Sequence, residues 1–386
     1  MARIVFLLSC AAFFSGAALR ICDALIPRLA RDFDITTGTA GRVVISFAVA
    51  YGLMQLVFGP LGDRFGKARL VNIALAGCAV GSVACLLAPG FDSLVVLRGV
   101  WGMAAAGVIP LSMALIGDMV PYEERQATLA KMLTGLLSGM MGGQLAGGLF
   151  ADSTWGWRGA FATLAIGYTI VAIAFALNAR VSAPVPASTA RLAFASQLRS
   201  VITVRWARVI LVSVAIEGIF LLGPMAYFPA FLHARHGLSL SAASALIALY
   251  AVGGLVYAMT ARRIVRTFGE QRMVLAGGLL MGAGMLGLWL APWWFAAGPL
   301  ALLLGFGTYL YHNTLQTHAT QMAPAVRGTA VALFAFSLFA GQALGVSLAG
   351  YALDRLGFAP LLAVPAVVLA AAGVWLSRAM GARVAD

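Results

Sequence analysis

Twelve runs of apolar residues follow one another along the chain, each separated from the next by a short polar or Gly/Pro-containing break. They cover residues 4–27, 38–60, 69–89, 92–118, 127–151, 158–179, 206–232, 239–260, 271–291, 296–317, 328–351 and 359–379. A helix rises about 1.5 Å per residue, so roughly 20 apolar residues cross the hydrocarbon layer of a bilayer. Inside lipid, backbone groups must be bonded within their own segment, which makes each run a helix. The pattern therefore predicts an all-α membrane protein. The one long polar connection, residues 181–205, is rich in Ser, Ala, Pro and Arg, and a short amphipathic helix is expected around 192–201. It separates two units, 1–180 and 206–386, of six helices each. The first run is read as a span and not as a removable leader, because it continues past Arg20 and Asp23 to Ile26-Pro27.

The two units repeat each other. Shifting by 202 residues lays Ala24–Pro27 on Ala226–Pro229, Arg125 on Arg327, and Gly139, Gly143, Gly148 and Asp152 on Gly341, Gly345, Gly350 and Asp354. With one residue of slippage, Phe65-Gly66 falls on Phe268-Gly269. Matches in order, at one offset, in helices and loops alike, indicate a duplicated six-helix unit with a site between the copies.

Composition agrees. Of 386 residues, 62% are hydrophobic and 10% charged, against about 25% charged in soluble domains. The net charge of +13 would suggest nucleic acid in a soluble protein, but its distribution points to a membrane instead. With the N-terminus taken as cytoplasmic, 18 of the 26 Lys and Arg fall in loops on that side and 6 on the other. This bias places both termini in the cytoplasm. Cys10, Cys22, Cys78 and Cys85 all sit in apolar runs without metal-ligand spacing, so neither disulfide nor metal is expected. Gly282–Gly287 matches a dinucleotide fingerprint by pattern, yet it lies inside a span with no strand before it. No nucleotide-binding, metalloprotease or serine-hydrolase motif occurs, so the chain is not expected to be an enzyme and no cofactor is expected.

Between the second and third runs stands Gly59-Pro-Leu-Gly-Asp63-Arg64-Phe-Gly66-Lys-Ala-Arg69. Glycines permit its tight turn, and Asp63, at a helix C-terminus where negative charge is unfavourable, must serve something outside its own helix. The loop closely resembles the signature loop of the major facilitator superfamily. That resemblance implies the major facilitator fold, twelve helices in two pseudo-symmetric six-helix bundles. It also implies a latch in which Asp63 faces the start of the eleventh helix near Arg327-Gly328, while Arg64 and Arg69 pair with Asp118. The second-half copy has no aspartate at the matching place. On the fifth helix Gly135, Gly139, Gly143 and Gly147 recur every four residues, echoed by Gly341 and Gly345 on the eleventh. This stripe is read as a close helix interface. It also resembles the antiporter signature of drug exporters, although the family's proline after Gly143 is Gln144 here.

Charges inside spans are expensive and are functional candidates by default. Four are singled out: Arg20, Asp23, Arg98 and Glu217. Asp23 and Arg20 share a helix face. Asp23 and Arg98 sit at equal depth, which allows either a static pair or, as expected here, one in which Asp23 is the main proton-responsive carboxylate and Arg98 sets its pKa. They resemble the first-helix acid and fourth-helix arginine of drug:proton antiporters. Glu217, with no opposite charge in its own span, is either a rival proton carrier or part of a structural polar network. Gln55, Met225, Tyr227, Tyr309, His312, Asn313, Gln316 and Gln342 are the remaining candidates for lining a substrate cavity.

The resemblance implies proton-coupled efflux of small organic molecules by alternating access, by a monomer in a bacterial inner membrane, with the small molecule, protons and lipid as its only partners. The alternative is a symporter or uniporter importing a small organic solute, for which Arg20 and Arg98 would suit a carboxylate. A non-transporting membrane sensor is a third class, for which the linker offers no output domain. Cysteine labelling should find residues 181–205 and the C-terminus in the cytoplasm and residues 233–238 outside. Labelling of 181–205 from outside intact cells would overturn the twelve-span topology.

Overall fold

The computed structural model describes residues 2–178 and 194–385, and the part of the linker before residue 194 lies outside them. The helices are α1 (Ala2–Asp32), α2 (Arg42–Phe65, preceded by the single turn Thr37–Ala40), α3 (Lys67–Leu86), α4 (Phe91–Ala105, resuming at Val108–Met119), α5 (Tyr122–Asp152) and α6 (Gly156–Asn178). After the linker helix Phe194–Thr203 come α7 (Arg205–His236), α8 (240–268), α9 (270–290), α10 (Ala297–Ala319), α11 (Arg327–Leu356) and α12 (Ala359–Ala385). The helical stretch Leu240–Leu290 is 51 residues long, about 77 Å if straight, more than twice a bilayer's hydrocarbon thickness. It reverses at Gly269, whose φ of 70° is the left-handed conformation that glycine adopts without strain. The matching turn between α2 and α3 uses Gly66, φ 88°.

Ten segments are long and apolar enough to cross a membrane, Leu240–Leu290 counting as one. The remaining helix is α5, whose glycines and Gln144 dilute its hydropathy. The twelve-helix expectation thus holds, and the linker helix begins close to where its amphipathic pattern placed it. Val80, Ile166, Ile170, Leu177, Met259 and Val367 stand exposed on the outside of the bundle, the surface that lipid solvates. Inside, one buried cluster gathers mainly α1–α6, around Trp101, Trp157, Phe161 and Tyr168, and a second gathers α7–α12, around Tyr250, Tyr311, Met281 and Met285.

The glycine stripe explains how α1 and α5 meet. A Cβ on Gly135, Gly139, Gly143 or Gly147 would collide with the carbonyl oxygens of Ser9, Phe13, Ala17 and Ile21, one turn apart along α1. The second unit repeats the arrangement in the same register. Gly341 and Gly345 of α11 face the carbonyls of Ala215 and Ile219 of α7, the residues 202 beyond Phe13 and Ala17. The reciprocal contacts also match: Gly16 lies on the Leu136 carbonyl, and Gly218 on that of Leu338. Helices in lipid gain little from hydrophobic burial against each other, so backbone-to-backbone contact of this kind is a principal source of association.

Because successive helices alternate in direction, both described ends of the chain lie on one face of the bundle, the terminal face. On the far face the two units are bonded across their interface. Asp354, at the end of α11, accepts hydrogen bonds from the Gly38 amide (2.9 Å) and the Thr36 hydroxyl (2.6 Å) at the N-terminal entry to α2. Asp152, at the end of α5, accepts from the amides of Leu240 (3.1 Å) and Ser241 (2.7 Å) and from the Ser241 hydroxyl (2.7 Å) at the start of α8. Each aspartate satisfies amides that a helix N-terminus leaves unbonded and sits at its positive end. Asp152 and Leu240 plus and minus 202 give Asp354 and Gly38, so the two caps are copies. The far face is closed by them and by Tyr227, whose hydroxyl bonds the Val346 carbonyl at 3.1 Å and the Gly38 carbonyl at 3.4 Å.

Gly139→Leu should force α1 and α5 apart and lower stability by about 1–3 kcal/mol, the usual cost of overpacking. Gly117→Ala, where nothing lies within 4 Å of the added methyl, should leave the Tm of the purified protein unchanged or slightly raised. Equal Tm values for the two variants would contradict the close α1–α5 interface.

Candidate functional site

A cavity of about 180 Å³ lies between the units. The first unit contributes Leu19 and Arg20 of α1 and Leu136 and Met140 of α5. The second contributes Glu217 and Leu222 of α7, Tyr250 of α8, Thr308, Tyr309 and His312 of α10, and Leu338, Phe339 and Gln342 of α11. Most of the wall is apolar, with polar groups at a few fixed points, the usual character of a small-molecule site.

Glu217 provides one of those points. Its side chain is 2% exposed, and both carboxylate oxygens lie 3.0 Å from His312 Nδ1. A carboxylate in a helix interior facing lipid would be costly, and pairing across to α10 removes much of that cost. The helix is locally altered directly after it. Residues Gly218–Leu222 form a π turn, and Gly223-Pro224 follows. Proline removes a backbone donor, and π turns often mark functional positions in helices. Gly218 and Gly223 let this irregular stretch rest directly on α11. The sequence suggested Glu217 had no partner within its span, and its partner is indeed on another helix.

Asp23 is fully buried, and one of its oxygens accepts from Arg20 Nη1 at 3.2 Å. Its Oδ1 has no hydrogen-bond partner among the described residues. The expected Asp23–Arg98 ion pair is not formed. Arg98 instead donates to the carbonyls of Val43 and Ala18, both at 3.4 Å, and its guanidinium lies 4.1 Å from the Phe47 ring centroid and 4.8 Å from that of Trp101. Backbone carbonyls and aromatic faces thus solvate this charge, the planar guanidinium being suited to both. Arg20 is the residue that connects Asp23 to the cavity.

The other cavity candidates divide. Arg20, Tyr309, His312 and Gln342 line the main cavity, and Met225 lines a recess beside it. Tyr227 belongs instead to the far-face seal. Gln55 Nε2 bonds the Ala106 carbonyl at 3.3 Å, satisfying an acceptor where α4 breaks between Ala105 and Val108. Asn313 is half-buried and Gln316 exposed, and neither is on the cavity wall, because the face they share with Tyr309 and His312 leaves the cavity as α10 continues toward the terminal face. In the signature loop, Gly59 and Gly66 flank the end of α2, and the Asp63 side chain lies outside the described residues. The expected partners of Asp118 are corrected: it pairs with Lys67 Nζ at 2.6 Å, while Arg64 lies over the Phe65 ring at 5.1 Å and Arg69 is exposed. Lys67 opens α3, nearest in space to the end of α4, whereas Arg64 still belongs to α2.

Sequence reasoning did not assign Tyr250 or the two capping aspartates to the site. Asp152 and Asp354 were visible as a matched pair in the repeat. Gln144 was visible as the departure from the drug-exporter pattern. Tyr250 carried no signal in an apolar run.

The model of the Major Facilitator Superfamily matches residues 8–346 and 236–382. The uncharacterized MFS-type transporter YceJ of Bacillus subtilis (strain 168) is 24% identical over 339 residues, covering 88% of this chain and 86% of that protein. The multidrug export protein EmrB of Haemophilus influenzae is 30% identical over 169 residues, which is 44% of this chain and 33% of EmrB. Among solved structures, the nucleoside transporter NupG (D323A mutant) superposes with a TM-score of 0.78 at 12% identity, covering 98% of this chain and 99% of that one. The D-xylose-proton symporter superposes with a TM-score of 0.74 at 16% identity, covering 97% and 96%; at such identities these two likenesses concern the fold. With a twelve-helix duplicated bundle, a cavity between its halves and a family match running almost end to end, the chain belongs to the major facilitator superfamily.

Proposed function

We propose that the chain is a proton-coupled exporter of small organic molecules that works by alternating access, with units 1–180 and 206–386 rocking about the central cavity. The observation that carries this reading is the Glu217–His312 pair, a titratable pair at 3.0 Å on the wall of a cavity lined by both units. Such a pair can take up one proton and change the charge of the cavity by one. A substrate whose body covers the pair shuts it off from water, so that substrate and proton occupy the site in turn. The EmrB match, to a multidrug export protein, supports the outward direction. The basic residues collected in terminal-face loops support a cytoplasmic terminal face in a bacterial inner membrane. In that orientation the bonded far face is the external one, and the two aspartate caps are the contacts that must part for release.

The assay is proton flux and solute movement in proteoliposomes with an imposed pH gradient, using a panel of radiolabelled aryl acids, amides and amines. Glu217→Gln removes the ionisable oxygen while keeping the shape. It should reduce gradient-driven transport by about tenfold or more, the scale on which loss of a charge-assisted contact acts, while binding persists. Asp23→Asn, whose carboxylate is off the cavity wall, should act mainly through the position of Arg20 and retain proton-linked flux. Full coupling in Glu217→Gln together with its loss in Asp23→Asn would move the coupling site to α1.

A further inference from the structure

Beside the main cavity, and sharing Arg20, Met140 and Tyr250 with it, lies a small recess with room for about one water molecule. Its polar wall is unusual in composition. It has one cation, Arg20, one amide, Gln144, and one phenol, Tyr250, among Met, Ile and Ala side chains; no carboxylate lines it. Gln144 is only 4% exposed, and its Nε2 donor has no hydrogen-bond partner among the described residues. A buried amide donor left unpaired is destabilising, and Gln144 lines the same recess as Arg20. Arg20 commits one nitrogen, Nη1, to Asp23 at 3.2 Å, and a guanidinium carries five N–H donors. Arg20 therefore has donors to spare beside the recess.

We infer that this recess is an oxyanion subsite, in which Arg20 and Gln144 hold one carboxylate oxygen of an amphipathic organic acid whose remaining head and apolar body extend past Met140 into the main cavity. The charges buried in the first unit support an anion: Arg20 and Arg98 against Asp23 alone. A carboxylate has the acceptor capacity to take the amide donor and the guanidinium together, and charge-assisted bonds of this kind are the strong ones. An ammonium in the same place would meet Arg20 and gain nothing from Gln144 Nε2. The position also explains why a polar residue is useful at 144. The glycine stripe at Gly143 and Gly147 brings α5 against the backbone of α1, the helix that carries Arg20. The matching position in the second unit is Val346, and that of Arg20 is Leu222, so the duplicated scaffold does not require either group. The inference rests on the cavity being the substrate's path and holds for either direction of transport.

The test is ligand-induced stabilisation of the purified full-length protein, read as the concentration dependence of Tm. The probes are 4-phenylbutyrate, its primary amide and 4-phenylbutylamine, followed by straight-chain carboxylates of increasing length. The acid should raise the Tm at lower concentration than the amide or the amine. Gln144→Leu should weaken the acid by about tenfold, the usual scale for losing a bond to a charged group, and leave the amine unchanged. Gln144→Glu should abolish acid binding by placing a second carboxylate beside Arg20. Gln144→Asn, which retracts the amide by one methylene, gives a second reading if the leucine variant does not fold. Equal affinity of wild type and Gln144→Leu for the acid, tighter binding of the amine, or no shift with any carboxylate would each overturn the assignment. Gradient-driven movement of neutral aryl compounds in the same preparations separates failure of this subsite from failure of the export reading.

Discussion

The contact on which the rest of the structure depends is the approach of helix backbones at glycine. On the first unit, four glycines of α5 meet four successive turns of α1; on the second, Gly341 and Gly345 repeat the contact with α7. No side chain intervenes, so the position of α1 is fixed by α5 along its length. Arg20 and Asp23 ride on α1, Glu217 on α7, and Gln342 on α11, so cavity geometry follows from these two seams. In lipid, where apolar burial does not favour one helix neighbour over another, shape complementarity of this sort is what selects partners.

The duplication supplies a symmetric frame carrying asymmetric chemistry. The seams, the reversing glycines Gly66 and Gly269, and the aspartate caps at Asp152 and Asp354 are paired features. The ionisable groups are not paired: Glu217 corresponds to Ser15, Asp23 to Met225, and Arg20 to Leu222. A frame that closes on the far face by two equivalent caps can open there by a movement shared between the units. Each cap is a carboxylate against helix-terminal amides. It releases partners that water can solvate once the helices part, so opening need not strand a buried charge.

Much of this was legible in the sequence. Span number, the break at the linker and the internal repeat follow from hydropathy and from one constant offset, because lipid imposes length and composition on every helix. The glycine seam was legible for the same reason, since a four-residue period of glycines has a packing consequence in any helix. Side-chain partners were less so. Asp23 and Arg98 share a depth, but depth does not say which way a side chain turns, and Arg98 turns into aromatic rings and carbonyls. Glu217 and His312 were both noted, but their contact depends on how α7 and α10 are rotated about their axes, and α7 leaves regular geometry at the π turn Gly218–Leu222 directly after Glu217. Periodicity does not encode such a turn. Gln55 and Tyr227 were polar groups in the right helices, but they are held by a helix break and by the far-face seal.

Alternating closure of the two faces is the central claim, and it is tested most directly by the distance across the far face. Spin labels at Leu87 and Leu356, both 71% exposed at the far-face ends of α3 and α11, report on one unit against the other in lipid. Two distance populations are expected, one matching the closed arrangement described above and one longer. The longer population should grow when Asp152→Asn and Asp354→Asn are combined. A single distance, the same in wild type and in the double variant, would contradict a transporter that opens by parting these caps.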